Sequence, residues 1–315
     1  MVNGAGPREA IARALMSPAE AIEASDPIAF LDAALADADG GASPALSALA
    51  AGTRADRLGY AFVAGYSAAL VALAGEHVAS ATRWPRACVA ATEGGGAHPR
   101  AIATTLSPDG DGFRLEGAKD WVTLGREAEL AVVIAKAGEA DGRPVLRALV
   151  LPMKRAGVTL EATPPPPFVP EIGHARLVLR GVRVEADEVL PGDGYADWLK
   201  PFRTIEDLHV HAALVGYLAG AWQRGAGDPR ALAELVAIAG ALVDLAGGDA
   251  KSPALHVALE GVLQLTRAWI ERNAAMWGRV SQAERERWER DRALLGVAGR
   301  ARGERFARAL ARLAG

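Results

Sequence analysis

The sequence predicts an α+β chain in three zones: helices, then a β-barrel or sandwich, then a helical bundle. Three observations predict it. Residues 7 to about 83 are Ala-rich, with apolar residues at helical spacing. From about Pro85 to Pro191, Val, Thr, Leu and Ile alternate with polar residues in short runs broken by Gly and Pro. From Trp198 onward the helical spacing returns. The boundaries read as 1–84 for an N-terminal helical domain, 85–193 for a middle β-domain and 194–315 for a C-terminal helical bundle.

In the first zone, Ile11, Leu15 and Ile22 and then Phe30, Leu31 and Leu35 recur at helical spacing. Ser17-Pro18-Ala19-Glu20 reads as a capping-box start with Pro at the first helical position. Ser25-Asp26-Pro27 reads as another helix start, Gly40 to Pro44 as a loop, and a long helical run follows Arg54. Leu58 to Gly75 carries no charge, but its apolar content is mostly Ala and Gly, interrupted by Tyr60, Tyr66 and Ser67. That composition predicts a buried bundle helix, not a membrane span.

In the middle zone the candidate strands are Cys88–Thr92, Ala101–Leu106, Phe113–Glu116, Trp121–Thr123, Leu130–Lys136, Val145–Leu151, Val158–Glu161 and Ala175–Arg180. Asp109-Gly110, Asp111-Gly112 and Asp141-Gly142 supply hairpin turn chemistry. The C-terminal helices read as about Phe202–Trp222, Pro229–Leu245, Pro253–Trp277 and Gln282–Leu313. The run from Glu284 to Arg292 alternates acids with bases, the pattern of a solvated helix face with i,i+4 pairs.

The formal charge of -3 over 315 residues leaves no electrostatic footprint for nucleic acid or an anionic membrane. One cysteine, Cys88, excludes an internal disulfide and fits a reducing cytoplasm. Its place in Arg-Ala-Cys-Val-Ala-Ala-Thr predicts a buried strand thiol. The N-terminus has no basic patch followed by an apolar core, so no secretory leader is expected.

Two motifs about thirty residues apart carry the chemistry. Ala90 to Gly96 ends in Thr92-Glu93-Gly94-Gly95-Gly96, a Gly-rich loop after a strand, where backbone N–H groups can approach a polar ligand unobstructed. Lys119-Asp120-Trp121-Val122-Thr123 places an indole and a hydroxyl two residues apart, on one face of a strand. Together they offer a stacking surface and a hydrogen-bond donor to one flat heterocycle. Each alone also reads blandly, as a turn and as a core tryptophan.

In order and separation these segments resemble the acyl-CoA dehydrogenase superfamily. Thr92-Glu93-Gly94-Gly95-Gly96 resembles the family's Thr-Glu-Pro-Gly flavin loop, and Gly117 to Gly125 resembles its Gly-x-Lys-x-Trp-Ile-Thr-x-Gly strand. Leu177 to Val184, followed by Val189-Leu190-Pro191-Gly192, resembles the end of that domain. The resemblance implies an FAD cofactor, with Thr92, Gly95, Gly96, Trp121, Val122 and Thr123 around it. Thr92 would bond the ring edge, Trp121 would flank the ring and Thr123 would bond near N5. It also implies an acyl-CoA substrate, oxidised across Cα–Cβ, and a homodimer or homotetramer.

The family's carboxylate base maps on this resemblance to Glu206, about ten residues before Gly216. The structural reading of the same residue is an acid in the first turn of a helix capped by Thr204. Where the family usually has Arg after that Glu, the chain has Asp207, which adds a second negative charge. The loop Pro is Gly94, and the Arg-x-x-Phe-Gly segment that holds a neighbour's FAD diphosphate is missing, with only Arg224 to stand in. The Glu-Gly-Thr turn is missing too. These departures keep two alternatives open: a non-catalytic subunit or scaffold with weak or no FAD binding, and a flavin oxidase or monooxygenase of the same fold. His209 and His211 are two residues apart, which puts them on different helix faces, so no metal site is expected.

Overall fold

The computed structural model describes residues 6–36, 42–78 and 84–315. Contacts divide the chain into two units: a helical one (1–72, 167–169 and 204–315) and a β one (73–166 and 170–203). Helices before and after the sheet thus fall within one unit.

In the helical unit, α1 (Pro7–Met16), α2 (Pro27–Leu35) and α3 (Pro44–Thr53) each begin with Pro in the first turn. Asp26 caps α2 as the sequence predicts, its Oδ1 accepting from the N–H of Ile28 and Ala29 at 3.0 and 2.9 Å. The predicted helix at Ser17-Pro18 does not form. Ser17 is the extended residue that ends α1. The chain after it has no regular structure and is tied to later segments: the Ile22 N–H donates to Arg54 O at 2.8 Å, and Tyr60 Oη donates to Ala24 O at 2.9 Å. The predicted loop at Gly40 to Pro44 lies partly outside the described residues. Helix α4 (Leu58–Val78) departs from helical geometry at Ala74, and 72 % of its most apolar window is buried.

The C-terminal helices are α5 (Lys200–Arg224), α6 (Pro229–Ala246), α7 (Pro253–Arg272), α8 (Gln282–Asp291) and α9 (Gly299–Ala314). Helices α3 and α5 meet backbone to backbone. A Cβ on Gly216 would lie 2.1 Å from Leu49 O, and one on Gly52 2.1 Å from Ala213 O. The predicted single helix over 282–313 is broken by a 3-10 turn at Arg292–Gly296. Its charged run is not fully solvated either. Glu284, Trp288 and Asp291 form a buried stripe, and Asp291 accepts from the Val169 N–H at 2.7 Å. Trp288 stacks on Trp277 with ring centroids 4.2 Å apart.

The β unit is one mixed seven-stranded sheet. Its strands are β1 (Ala87–Ala90), β2 (Thr105–Asp109), β3 (Gly112–Thr123), β4 (Leu130–Ala140), β5 (Arg143–Pro152), β6 (Val158–Ala162) and β7 (His174–Val184). One edge of β4 pairs in parallel with β1 and, further along, with β2, while β5 pairs antiparallel on its other edge. Strand β3 runs antiparallel between β2 and β7, joining the two segments predicted separately as Phe113–Glu116 and Trp121–Thr123. Cys88, Leu115, Val122, Val133, Leu149 and Leu177 fill the core of the sheet. Burial, with Glu127 nearby, pushes the Cys88 thiol up to about 12, so it is an inert strand thiol.

Candidate functional site

The two motifs of the β unit meet. Thr92, just beyond β1, forms an antiparallel bridge with Trp121 of β3, and Thr92 O accepts from the Asp120 N–H at 2.9 Å. The four residues Glu93 to Gly96 make a tight turn closed at both ends: Glu93 N–H to Gly96 O at 3.1 Å, and Gly96 N–H to Glu93 O at 2.6 Å. Gly96 has φ +91°, which a side chain would strain.

Beneath this turn lies a buried ion pair that the motif reading overlooks. Lys119 is fully buried, and its Nζ donates to Glu93 Oε1 and to Ile134 O, each at 2.5 Å. Glu93 also accepts from the N–H of Ala103 at 2.7 Å and of Thr104 at 3.1 Å, and from Thr104 Oγ1 at 2.8 Å. Burial raises the Glu93 pKa, but Lys119 and these donors outweigh it and hold the carboxyl below its ordinary value. Gly117 fits the same arrangement. Its φ is +142°, and a Cβ there would lie 2.7 Å from Thr104 Cα, next to a register shift in β3. The Glu and Lys of the two motifs are therefore internal fasteners, not ligand groups. The available signal was an acid in the Gly-rich loop and a base in the strand motif that follows it.

On the outer face, Trp121 is 44 % exposed and stacks on His174 of β7, with ring centroids 4.2 Å apart. Thr123 pairs directly with His174 across the strands and is half-buried on the same face. Val122, between them, is fully buried in the core, so only its backbone is left to face a ligand. The hydroxyls of Thr92 and Thr123 bond no described residue, and His174 Nδ1 is buried without a hydrogen-bond partner. Burial lowers the His174 pKa, which favours a neutral imidazole. An exposed indole between two free hydroxyls fits the ring of a flavin.

Glu206 belongs to the helical unit, half-buried on α5. It does not start a helix. Helix α5 begins at Lys200, after a π-type turn at Gly194–Leu199 capped by Asp193, and Thr204 is buried inside it. The reading of Glu206 as a first-turn acid with a Thr204 cap is thereby corrected. Asp207 is no uncompensated charge either. It is buried and held by Arg302 Nε at 2.9 Å and by Arg305, both from α9. One turn on, His211 Nδ1 lies 2.7 Å from Asp207 O, and His209 Nδ1 lies the same distance from Ile205 O.

Arg224, the one arginine placed to stand in for the missing nucleotide-binding arginine, is engaged inside the helical unit. Its guanidinium pairs with Glu284 at 2.5 Å and donates to Thr53 O at 3.3 Å and Ala55 O at 3.1 Å. These partners tie α5 to α8, to the end of α3 and to the turn after it within the helical unit.

The family described as acyl-CoA dehydrogenase, middle domain, matches residues 88–182. The human mitochondrial short-chain specific acyl-CoA dehydrogenase is 32 % identical over 111 residues, 34 % of this chain and 27 % of that protein. The chain thus spans little more than a quarter of the curated relatives it matches. Among solved structures, butyryl-CoA dehydrogenase from Megasphaera elsdenii shares the fold at TM-score 0.64 and 18 % identity, over 86 % of this chain and 83 % of the other. A prolyl acyl carrier protein oxidase shares it at TM-score 0.61 and 17 % identity, over 84 % and 82 %. With the Gly-rich loop and the Trp-Val-Thr strand inside the matched segment, residues 88–182 are an acyl-CoA dehydrogenase middle domain, and the chain as a whole shares the fold of acyl-CoA dehydrogenases.

Proposed function

We propose that the protein is an FAD-dependent oxidoreductase that removes two hydrogens across Cα–Cβ of an acyl-CoA thioester. One observation carries the reading: the Thr92–Trp121 bridge sets an exposed indole beside the hydroxyls of Thr92 and Thr123, which bond no described residue. Thr92 and Thr123 would hold the polar edge of the flavin ring, Trp121 would flank it, and Gly95 and Gly96 would admit it close to the backbone. Bound FAD supplies the acceptor for the hydride that leaves Cβ. Glu206 takes the proton from Cα, and the electron pair of that C–H bond becomes the new double bond. By analogy with the family, the protein acts as a homodimer or homotetramer.

The visible spectrum of the purified protein, before and after incubation with FAD, tests the reading. A bound-flavin spectrum that bleaches on adding an acyl-CoA, and a Glu206→Gln variant that binds FAD but no longer bleaches, are the expected results. Bleaching that survives in Glu206→Gln removes Glu206 as the base. The commitment of Arg224 inside the helical unit favours one second reading, a flavin-free partner subunit. Protein that stays colourless in excess FAD establishes that reading in place of the first.

A further inference from the structure

Asp207 follows Glu206 in the sequence and would on its own set a second negative charge beside it. The helical unit reverses that sign. Asp207 is buried, and its carboxylate accepts from Arg302 Nε at 2.9 Å and from Arg305, both on α9. Arg302 is itself buried, and its Nη1 donates onward to Leu295 O at 3.2 Å, so the guanidinium is fixed from two sides. One carboxylate against two guanidiniums leaves one surplus positive charge beside the residue that carries the proposed base. The neighbouring groups do not cancel it. Glu260 and Arg267 of α7 pair with each other at 3.6 Å, and His256 of α7, which lines the same recess as Arg302 and Arg305, can add only positive charge. On α5 itself, burial favours neutral imidazoles at His209 and His211. Replacing a buried ion cluster by apolar residues is often neutral or stabilising, so stability alone does not account for this one.

We propose that Arg302 and Arg305, acting through Asp207, are positioning residues that fix the turn of α5 bearing Glu206 and hold its carboxyl ionised. Half-buried on α5, Glu206 feels a nearby unit charge more strongly than an exposed acid would. The consequence for catalysis rests on the reading of Glu206 as the base, but the electrostatic effect is testable apart from it.

The test follows the Glu206 carboxyl by carbon-13 NMR in protein labelled at glutamate, the resonance being assigned by its absence in Glu206→Gln. Arg305→Gln leaves a neutral Asp207–Arg302 pair and should move the Glu206 titration midpoint up by roughly half a pH unit or more. Asp207→Asn leaves two guanidiniums and should move it down by a similar amount. The variant combining both changes has one surplus charge, as the wild type has, and should titrate near it. Arg305→Lys keeps the charge and should do the same. A packing role alone would lower the melting temperature in these variants without moving the midpoint in opposite directions. Where Asp207→Asn does not fold, Arg305→Gln and Arg305→Lys decide the matter, since Arg305 lies at the half-buried edge of the cluster. A midpoint that is unmoved or lowered in Arg305→Gln overturns the proposal, and so does one raised equally in Arg305→Lys. In the FAD-loaded protein, the acid limb of flavin bleaching by butyryl-CoA should shift with the midpoint. Midpoints that move as stated beside an acid limb that stays put leave the cluster's role standing and remove Glu206 as the base.

Discussion

Lys119 Nζ sits 2.5 Å from Glu93 Oε1, with the lysine fully buried, so the Gly-rich loop and the Trp-Val-Thr strand are locked together from below. Breaking one partner of a buried pair strands the other charge and costs about 3–5 kcal/mol. Lys119→Met should therefore lower the unfolding free energy by that order and abolish FAD binding, because the Glu93–Gly96 turn loses its anchor. The double variant Lys119→Met with Glu93→Gln removes both charges and should recover part of the stability. Chemical denaturation of the wild type, each single variant and the double variant measures the coupling. Additive losses would mean that the pair does not act as a unit.

The helical unit has its own pH signature. Burial, with Arg302 beside it, lowers the His211 pKa to about 4. In the unfolded chain the imidazole takes a proton near its ordinary value of about 6.5, while the folded protein resists until about 4. Stability is therefore full above about pH 6.5 and lost as the pH falls toward 4, by roughly 3 kcal/mol. His209 and His174, whose pKa values burial also lowers, add to the loss in the same direction. His211→Asn keeps a donor near Asp207 O and should flatten the fall in a urea-melt series from pH 7 to 4. An unchanged slope would assign the pH dependence to other groups.

Contact between α3 and α5 sets a different limit. With Leu49 O only 2.1 Å from the position of a Gly216 Cβ, the backbones must separate to admit one methyl group. Overpacking of this kind costs about 1–3 kcal/mol or more, so Gly216→Ala should lower the melting temperature by several degrees. Gly240 on α6 has nothing within 4 Å of its Cβ position. Gly240→Ala should instead stabilise the protein, by about 0.5–1 kcal/mol of helix propensity. Equal effects from the two alanines would refute close packing as the cause.

Local chemistry decided which parts of this fold were legible. Asp26-Pro27 capped a helix as it reads, because both the cap and the Pro act within one turn. Ser17-Pro18 carries a cap residue before Pro as well and starts no helix, because Arg54 O and Tyr60, more than thirty residues away, tie down the segment that follows. The 282–313 helix was overextended because the alternating charges hide a Glu284–Trp288–Asp291 stripe whose partners are Arg224 and Val169. In the site, the shared face of Trp121 and Thr123 followed from strand alternation alone. Neither the Glu93–Lys119 fastener nor the hold of Arg302 and Arg305 on Asp207 can be read locally. Each depends on strand register or chain return that only the assembled fold supplies.

That alternation also provides a sharp test of which atoms face the ligand. Thr123 is half-buried with a hydroxyl that bonds no described residue, whereas Val122 is wholly enclosed by the core. Thr123→Val keeps the shape and removes one hydroxyl, so little stability should change, while one ligand hydrogen bond of about 0.5–1.5 kcal/mol disappears. FAD affinity should fall about threefold to tenfold, with the melting temperature nearly unchanged. The reverse exchange, Val122→Thr, buries a hydroxyl without a partner and should cost about 1–3 kcal/mol of stability. Its effect on FAD should scale with the unfolded fraction alone. Flavin fluorescence titration beside a thermal melt separates the two cases, because only a ligand-facing hydroxyl weakens binding in a protein that melts as the wild type does. A Thr123→Val variant that binds FAD normally would move the ring away from this strand face and back to the backbone of the Gly-rich turn.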